Sequence, residues 1–229
     1  MPGGPSNGPW TTTQGKGVRI AILNSGVDAN HPDLAPNLAS NPSEIDQSAS
    51  TGVPSPCDDG TPQDQQGHGT WTASLAAAAI GASTGLVVGV APQASILNIK
   101  VLERMPATTG DASTCRAGQA NGLLSWVIDG IDDAVAQRAD IISMSLGTLF
   151  DITTGDGAGL QATFDQVTHA AANAGVILIA SAGNDGFDLD NSAISSCPRS
   201  PAASWPSSPP PTPPAPRTSP PVPPAPPAR

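Results

Sequence analysis

Positive charge is scarce in this chain. Its 229 residues hold nine Lys and Arg against 19 Asp and Glu, and only Lys16, Arg19, Lys100, Arg104, Arg116 and Arg138 precede the C-terminal tail. These six are scattered, whereas neutralising phosphates takes grouped cations, so no nucleic-acid partner is expected. Aromatic residues make up 3% of the chain, which also leaves little surface for stacking on bases. No stretch of about 18 apolar residues occurs, and Met1-Pro2-Gly3-Gly4-Pro5 has neither the basic nor the apolar part of a signal peptide. Neither a membrane partner nor an export signal is therefore expected. Also missing is any strand followed by G-x-G-x-x-G or a Walker-type lysine loop, which weighs against a nucleotide-binding α/β domain.

Cysteine is sparse as well. Cys57, Cys115 and Cys197 show none of the CxxC or Cys/His spacings typical of zinc. One disulfide with one cysteine left over suits an extracellular protein, and three unrelated buried thiols are the competing reading.

The tail lacks what a core requires. Fifteen of the 26 prolines lie from Pro198 onward, a segment with no Asp, Glu, Ile, Leu or Phe. Such a composition buries too little apolar surface to offset the entropy of ordering, and disorder is expected for residues 198–229.

Between Gly17 and Ser181 short β-branched runs alternate with longer Ala-rich segments, the pattern of a parallel sheet covered by helices on both faces. Val18 to Leu23, Ile96 to Val101, Ile141 to Ser145 and Val176 to Ala180 are each apolar on both sides, as strands buried on two faces are. Leu124, Val127, Ile128, Ile131 and Val135 recur at helical spacing, which predicts an amphipathic helix over Ala120 to Arg138 with Asp129, Asp132 and Asp133 facing water. Leu160, Phe164, Val167 and Ala171 repeat that spacing in a helix closed by Gly175 as a left-handed cap. Thr70 to Ala79 is so rich in small residues that an interior helix is expected, with His68 at its start. Asn41 to Gln66, polar and rich in Pro, Gly and Ser, reads as a long surface loop with room for a short hairpin.

In an open parallel sheet ligands bind beyond the carboxyl ends of the strands. Asn24 follows the first strand, Ser145-Leu146-Gly147 closes the third and Asn184 lies just past the fourth, so topology gathers them at one edge. His68, between Gly67 and Gly69, approaches the same edge.

These residues sit in blocks that carry a resemblance. Ile22-Leu23-Asn24-Ser25-Gly26-Val27-Asp28 with His31-Pro32-Asp33-Leu34, and Gly67-His68-Gly69-Thr70 with Ala73, resemble the first two signature blocks of the subtilases. Gly89-Val90-Ala91-Pro92, Ala139 to Gly147 and Ser181-Ala182-Gly183-Asn184 resemble later blocks of that family, in order. The resemblance implies a truncated three-layer α/β/α subtilisin-like fold with a mainly parallel sheet, and peptide-bond hydrolysis by Ser-His-Asp acyl transfer on a polypeptide substrate. It implies that His68 is the general base, Asn184 the oxyanion-hole amide, Ser145, Leu146 and Gly147 the segment that pairs with substrate backbone, and Ser181, Ala182 and Gly183 one wall of the pocket beside the scissile bond. It further implies extracellular location and a structural calcium, with no cofactor required for the chemistry.

Two positions depart from the family pattern. Asn24 stands where the triad aspartate belongs, and loss of that carboxylate costs serine proteases about four powers of ten in rate. Asp28 and Asp33 lie downstream, where solvated or turn-stabilising roles are expected. No Gly-Thr-Ser tripeptide occurs, so the nucleophile block is absent, and the serines after Asn184 are expected in a polar loop or the tail. The chain is therefore read as an N-terminal lead-in (1–16), a partial peptidase domain (17–197) and a Pro-rich tail (198–229), and it is predicted inactive. The composition of the tail suits out-of-frame translation of GC-rich DNA. The rival reading is a pseudoprotease scaffold whose P-x-x-P segments over Pro209 to Pro227 dock on a polyproline-recognising partner. A read of the coding DNA across Cys197 is expected to show, in a shifted frame, a continuing sequence with a Gly-Thr-Ser block; a clean read with no such block in any frame overturns the frame-shift reading.

Overall fold

A computed structural model describes residues 8–46, 55–81, 87–184 and 194–197. The Pro-rich tail lies outside these residues.

Nine strands and three helices are found among them: β1 (Arg19–Asn24), β2 (Leu38–Ser40), α1 (His68–Ala77), β3 (Ser95–Lys100), β4 (Glu103–Arg104), β5 (Ala120–Asn121), α2 (Leu124–Ala136), β6 (Ile141–Met144), β7 (Thr148–Asp151), α3 (Gly155–Asn173), β8 (Ile177–Ala180) and β9 (Ile194–Cys197). Five strands form a parallel sheet in the order β2-β3-β1-β6-β8. β1 lies between β3 and β6, with Ile20 level with Ile96 on one side and Ile141 on the other. Pairs β4 with β5 and β7 with β9 make two small antiparallel ribbons.

Alternation along β1 divides the core. Ala21 and Leu23 point to the layer of α2 and α3, where they pack with Leu97, Ile131, Ile142 and Phe164. Ile20 and Ile22 point the other way, against Ala73 and Ala77 of α1 and Ile96. The result is the expected α/β/α layering, with α1 on one face and α2 and α3 on the other. Small residues let the layers approach closely: a Cβ added at Gly130 of α2 would sit 2.7 Å from Val101 Cγ1.

Several expectations need correction. The sheet is not covered throughout, because Ile177 and Ile179 of β8 are 60% and 52% exposed. α1 is not an interior helix: Ala73 and Ala77 are buried, but Trp71 and Leu75 on its outer side are 66% and 58% exposed. Its small residues serve one close contact with the sheet. α2 begins at Leu124, four residues later than expected, since Ala120 and Asn121 are taken up by pairing with β4. Ser195 and Ser196 do not lie in a loop but in β9, opposite Phe150 and Leu149. Gly175 closes α3 with a φ of 90° as expected.

The segment expected to be a surface loop contains buried charge. Asp58 and Lys100 are both buried, and Lys100 Nζ donates to Asp58 Oδ1 at 2.8 Å and Oδ2 at 2.9 Å, to the Gln63 carbonyl at 3.0 Å and to Gln65 Oε1. Lys100 ends β3, so this pair fastens residues 58–65 to the carboxyl end of the sheet. No hairpin occurs in the described parts of Asn41 to Gln66. Of Asp28 and Asp33, both expected in solvated or turn-stabilising roles, Asp33 is not solvated but 1% exposed, while Asp28 accepts from the Asn30 amide at 3.0 Å in a turn.

Removing one member of a buried ion pair strands the other charge. Lys100→Met is expected to cost about 3–5 kcal/mol, read by urea unfolding, and adding Asp58→Leu is expected to recover most of the loss.

Candidate active site

Asn24 is the last residue of β1 and is completely buried. Its Oδ1 accepts from the Ser25 backbone N–H at 2.8 Å and lies 2.9 Å from His68 Nδ1. The chain turns sharply after Ser25 at Gly26, whose φ of 106° suits glycine. That turn brings the start of α1 against it, since a Cβ on Gly69 would sit 2.0 Å from the Gly26 carbonyl oxygen.

Asp64 fixes the geometry. Its Oδ1 accepts from the Ser25 hydroxyl at 3.0 Å and from the backbone N–H of Gln66 and Gly67 at 3.0 and 2.8 Å. Its Oδ2 accepts from the N–H and hydroxyl of Thr70 at 2.9 and 2.7 Å. Gly67 precedes α1 with a φ of 103° and offers no side-chain cap, so Asp64 supplies the anionic cap that unpaired N–H groups at a helix start favour. The Ser25 hydroxyl in turn accepts from Gly69 N–H at 3.0 Å. The strand end bearing Asn24 and the helix start bearing His68 thus share one carboxylate.

His68 faces a cavity of ≈ 660 Å³. Of the residues expected from sequence, His68, Ser145, Leu146, Gly147 and Asn184 line it together. Asn24 sits behind the imidazole and does not line the cavity. Ser181, Ala182 and Gly183 are exposed and are not among the lining residues; Ser181 is held to the end of β6 through its N–H to the Met144 carbonyl and its hydroxyl to the Leu146 carbonyl, both 3.2 Å.

The opposite wall escaped sequence reasoning. Leu102, Gln119, Ala120, Asn121 and Gly122 come from the β4–β5 ribbon and its flanks, and Leu124 from the start of α2. A two-residue ribbon has no periodicity to detect. Gln66 also lines the cavity, and its Oε1 accepts from the His68 N–H at 2.8 Å; its place two residues before the histidine was the available signal. Among the described residues no serine hydroxyl hydrogen-bonds to the His68 ring.

A disulfide braces this wall. Cys57 and Cys115 are joined, with Cα atoms 5.4 Å apart, linking the segment before His68 to a short 3-10 turn at Ala112–Ala117. Arg104 spans the same two segments, donating to the Cys115 carbonyl from Nε and to the Gln65 carbonyl from Nη1, both at 2.7 Å. Among the described residues no three His, Cys, Asp or Glu side chains gather to hold a metal ion, so no carboxylate-built site is found for the implied calcium.

A parallel α/β/α sheet thus holds an imidazole at its carboxyl edge, beside a cleft that Asn184 also lines. Residues 15–208 match the subtilase family of peptidases, and the chain belongs to that family. It is 37% identical over 182 residues to thermitase of Thermoactinomyces vulgaris, a match covering 80% of this chain and 53% of that protein. It is 34% identical to an intracellular serine protease of Paenibacillus polymyxa, covering 77% and 44%, and 33% identical to subtilisin E of Bacillus subtilis, covering 79% and 38%. The fold is shared with the epidermin leader peptide processing protease of Staphylococcus aureus at a TM-score of 0.61 and 21% identity, over 79% of this chain and 43% of that one. It is shared too with the nisin leader peptidase of Lactococcus lactis at 0.59 and 21%, over 81% and 54%. The chain thus spans about half the length, or less, of the curated relatives it matches.

The disulfide closes a loop of 58 residues, for which chain entropy gives a stabilisation of about 4 kcal/mol. Replacing both Cys57 and Cys115 by Ser is expected to lower the urea midpoint accordingly, and an unchanged midpoint would show that the clamp formed by Arg104 suffices without it.

Proposed function

We propose that this chain is a subtilase scaffold that binds extended polypeptide in the cavity beside His68 but does not hydrolyse it unaided. The observation that carries the reading is that His68 and Asn184 line one cavity together with Ser145, Leu146 and Gly147. An imidazole backed by Asn24 serves as general base, and an Asn amide near it serves a developing oxyanion. Both lower a barrier only when a nucleophile attacks the carbonyl. The chain contains no Gly-Thr-Ser block, and within the described residues nothing takes the place of an activated serine. Water attack leaves a small residual rate at most.

Recognition does not need the nucleophile. The Ser145–Gly147 segment just past β6 lines the cavity and serves as the edge along which a peptide lies in extended form, and the apolar Leu102, Leu124 and Phe164 offer a pocket for its side chains. We further propose an oxidising, extracellular setting, because the Cys57–Cys115 bridge is at home there.

The test is fluorogenic-peptide hydrolysis and fluorescence-anisotropy binding by the intact chain and its His68→Ala, Asn24→Asp and Gln119→Trp variants, with a fluorophosphonate probe alongside. Hydrolysis is expected at the level of the buffer blank for all four proteins, with no serine labelled. Binding is expected for the parent chain and weakened about tenfold by Gln119→Trp, equivalent to about 1.4 kcal/mol, because the indole occupies part of the cavity. Turnover abolished by His68→Ala, or stoichiometric labelling of a serine, overturns the non-hydrolytic reading; absence of any peptide binding overturns the recognition reading.

A further inference from the structure

We infer that Asn24, without the charge of an aspartate, is a positioning residue that holds neutral His68 in the tautomer with its proton on Nδ1 and its lone pair on Nε2. The inference rests on reading His68 as the base of the site.

The ring nitrogen nearest Asn24 meets Oδ1 at 2.9 Å. An amide oxygen offers lone pairs only, so a hydrogen bond at this contact places the proton on Nδ1. The opposite tautomer requires the amide to turn over and present Nδ2. What prevents the turn is the next residue: the Ser25 backbone N–H donates to the same Oδ1 at 2.8 Å. With the amide turned, Nδ2 would confront that N–H, donor against donor, and a buried backbone donor would lose its acceptor. Ser25 cannot move aside to relieve the conflict. It is completely buried, and its hydroxyl is tied to Asp64 Oδ1 at 3.0 Å and to the Gly69 N–H at 3.0 Å.

The other half of the amide supports the same orientation. Asn24 Nδ2 is buried with no hydrogen-bond partner, so the side chain leaves two N–H donors unsatisfied in order to keep Oδ1 where it is. Turning over would pair one Nδ2 proton with the Nδ1 lone pair of the opposite tautomer, but it would leave an oxygen without a donor in the space Nδ2 now occupies and the Ser25 N–H without an acceptor. Of the two orientations, the observed one leaves fewer groups unpaired. A carboxylate in this place would hold the ring in the same tautomer and add negative charge for the imidazolium. The amide retains the orientation and loses the charge, so the departure from the family pattern is half a loss: His68 keeps a basic Nε2 without a counter-ion for the proton it would accept.

The experiment is long-range 1H–15N correlation spectroscopy of the histidine rings in the intact chain at about pH 8, above the ordinary histidine range. His31→Gln and His169→Gln variants assign the remaining ring to His68. The expected spectrum has a pyrrole-type Nδ1 and a pyridine-type Nε2, with the Nδ1–H tautomer in excess by about ten to one, the bias that one buried hydrogen bond supplies. Asn24→Asp is expected to keep this pattern, and Asn24→Leu to lose it, the ring passing to Nε2–H. A parent spectrum dominated by Nε2–H overturns the inference by itself, whether or not Asn24→Leu folds; a folded Asn24→Leu with the parent pattern overturns it equally. Peptide binding and hydrolysis do not enter this readout, so a failure of the proposed function and a failure of the tautomer assignment are seen separately.

Discussion

The Asp64 carboxylate is the joint on which the site depends. It lies in neither the strand nor the helix that carry the site residues, yet it accepts from Ser25 beside Asn24 and from Gly67 and Thr70 around His68. A hydrogen bond between a strand end and a helix start requires the two backbones to be held to within a few tenths of an ångström, because its strength falls off steeply with distance and angle. Direct packing supplies part of that precision, through the near contact of Gly69 with Gly26. Asp64 supplies the rest by converting the free N–H groups of a helix terminus into partners of the strand. The 2.9 Å contact between Asn24 and His68 lies within this arrangement.

The segment carrying Asp64 is itself immobilised from the other side. Lys100 at the end of β3 draws Asp58, Gln63 and Gln65 inward, and the Cys57–Cys115 bridge with Arg104 ties the same segment to the cavity's far wall. A buried ammonium tolerates its surroundings only if every proton finds an acceptor, and here the Asp58 carboxylate and two glutamine oxygens meet that demand. The loop is thus ordered by polar interactions in place of an apolar core. Its composition of Pro, Gly, Ser and Asp, which by itself describes any solvated connection, conceals this.

That concealment marks the limit of what the sequence disclosed. The central strands were legible because β1, β3, β6 and β8 are short β-branched runs between helical segments, and the layer order followed from them. Ser145, Leu146, Gly147 and Asn184 were grouped because residues beyond the carboxyl ends of parallel strands must lie on one edge, and His68 joined them because glycines on both sides let it approach that edge. Trp71 and Leu75 were misjudged because a helix of small residues signals close packing without saying on how many sides. Ala120 and Asn121 were misassigned to α2 because pairing with Glu103 and Arg104 is a long-range event that leaves no local period. Asp64, Lys100 and Asp58 were passed over for a related reason: a polar residue in a loop becomes informative only when its partner, 42 residues away in the case of Lys100 and Asp58, is known.

The two faces of the sheet are unequally completed within the described residues, and the inequality bears on the site. On the side of α2 and α3, Leu178, Ile142 and Phe164 close a continuous core. On the side of α1, the floor is covered beneath Ile20, Ile22 and Ile96 but open at Ile177 and Ile179, and β8 hydrogen-bonds to β6 alone in this sheet. A strand with one bare face gains less from burial than the strands inside the sheet. β8 leads into Ser181 and Asn184, whereas Asn24 and His68 are anchored on β1 and α1 at the closed part of the sheet. The site therefore joins a half in which the His68 imidazole is held by buried hydrogen bonds to a half carried on a strand with one bare face. Orientation of the imidazole is secured at the buried ends of β1 and α1, whereas Asn184 follows a strand whose Ile177 and Ile179 are bare on the side of α1.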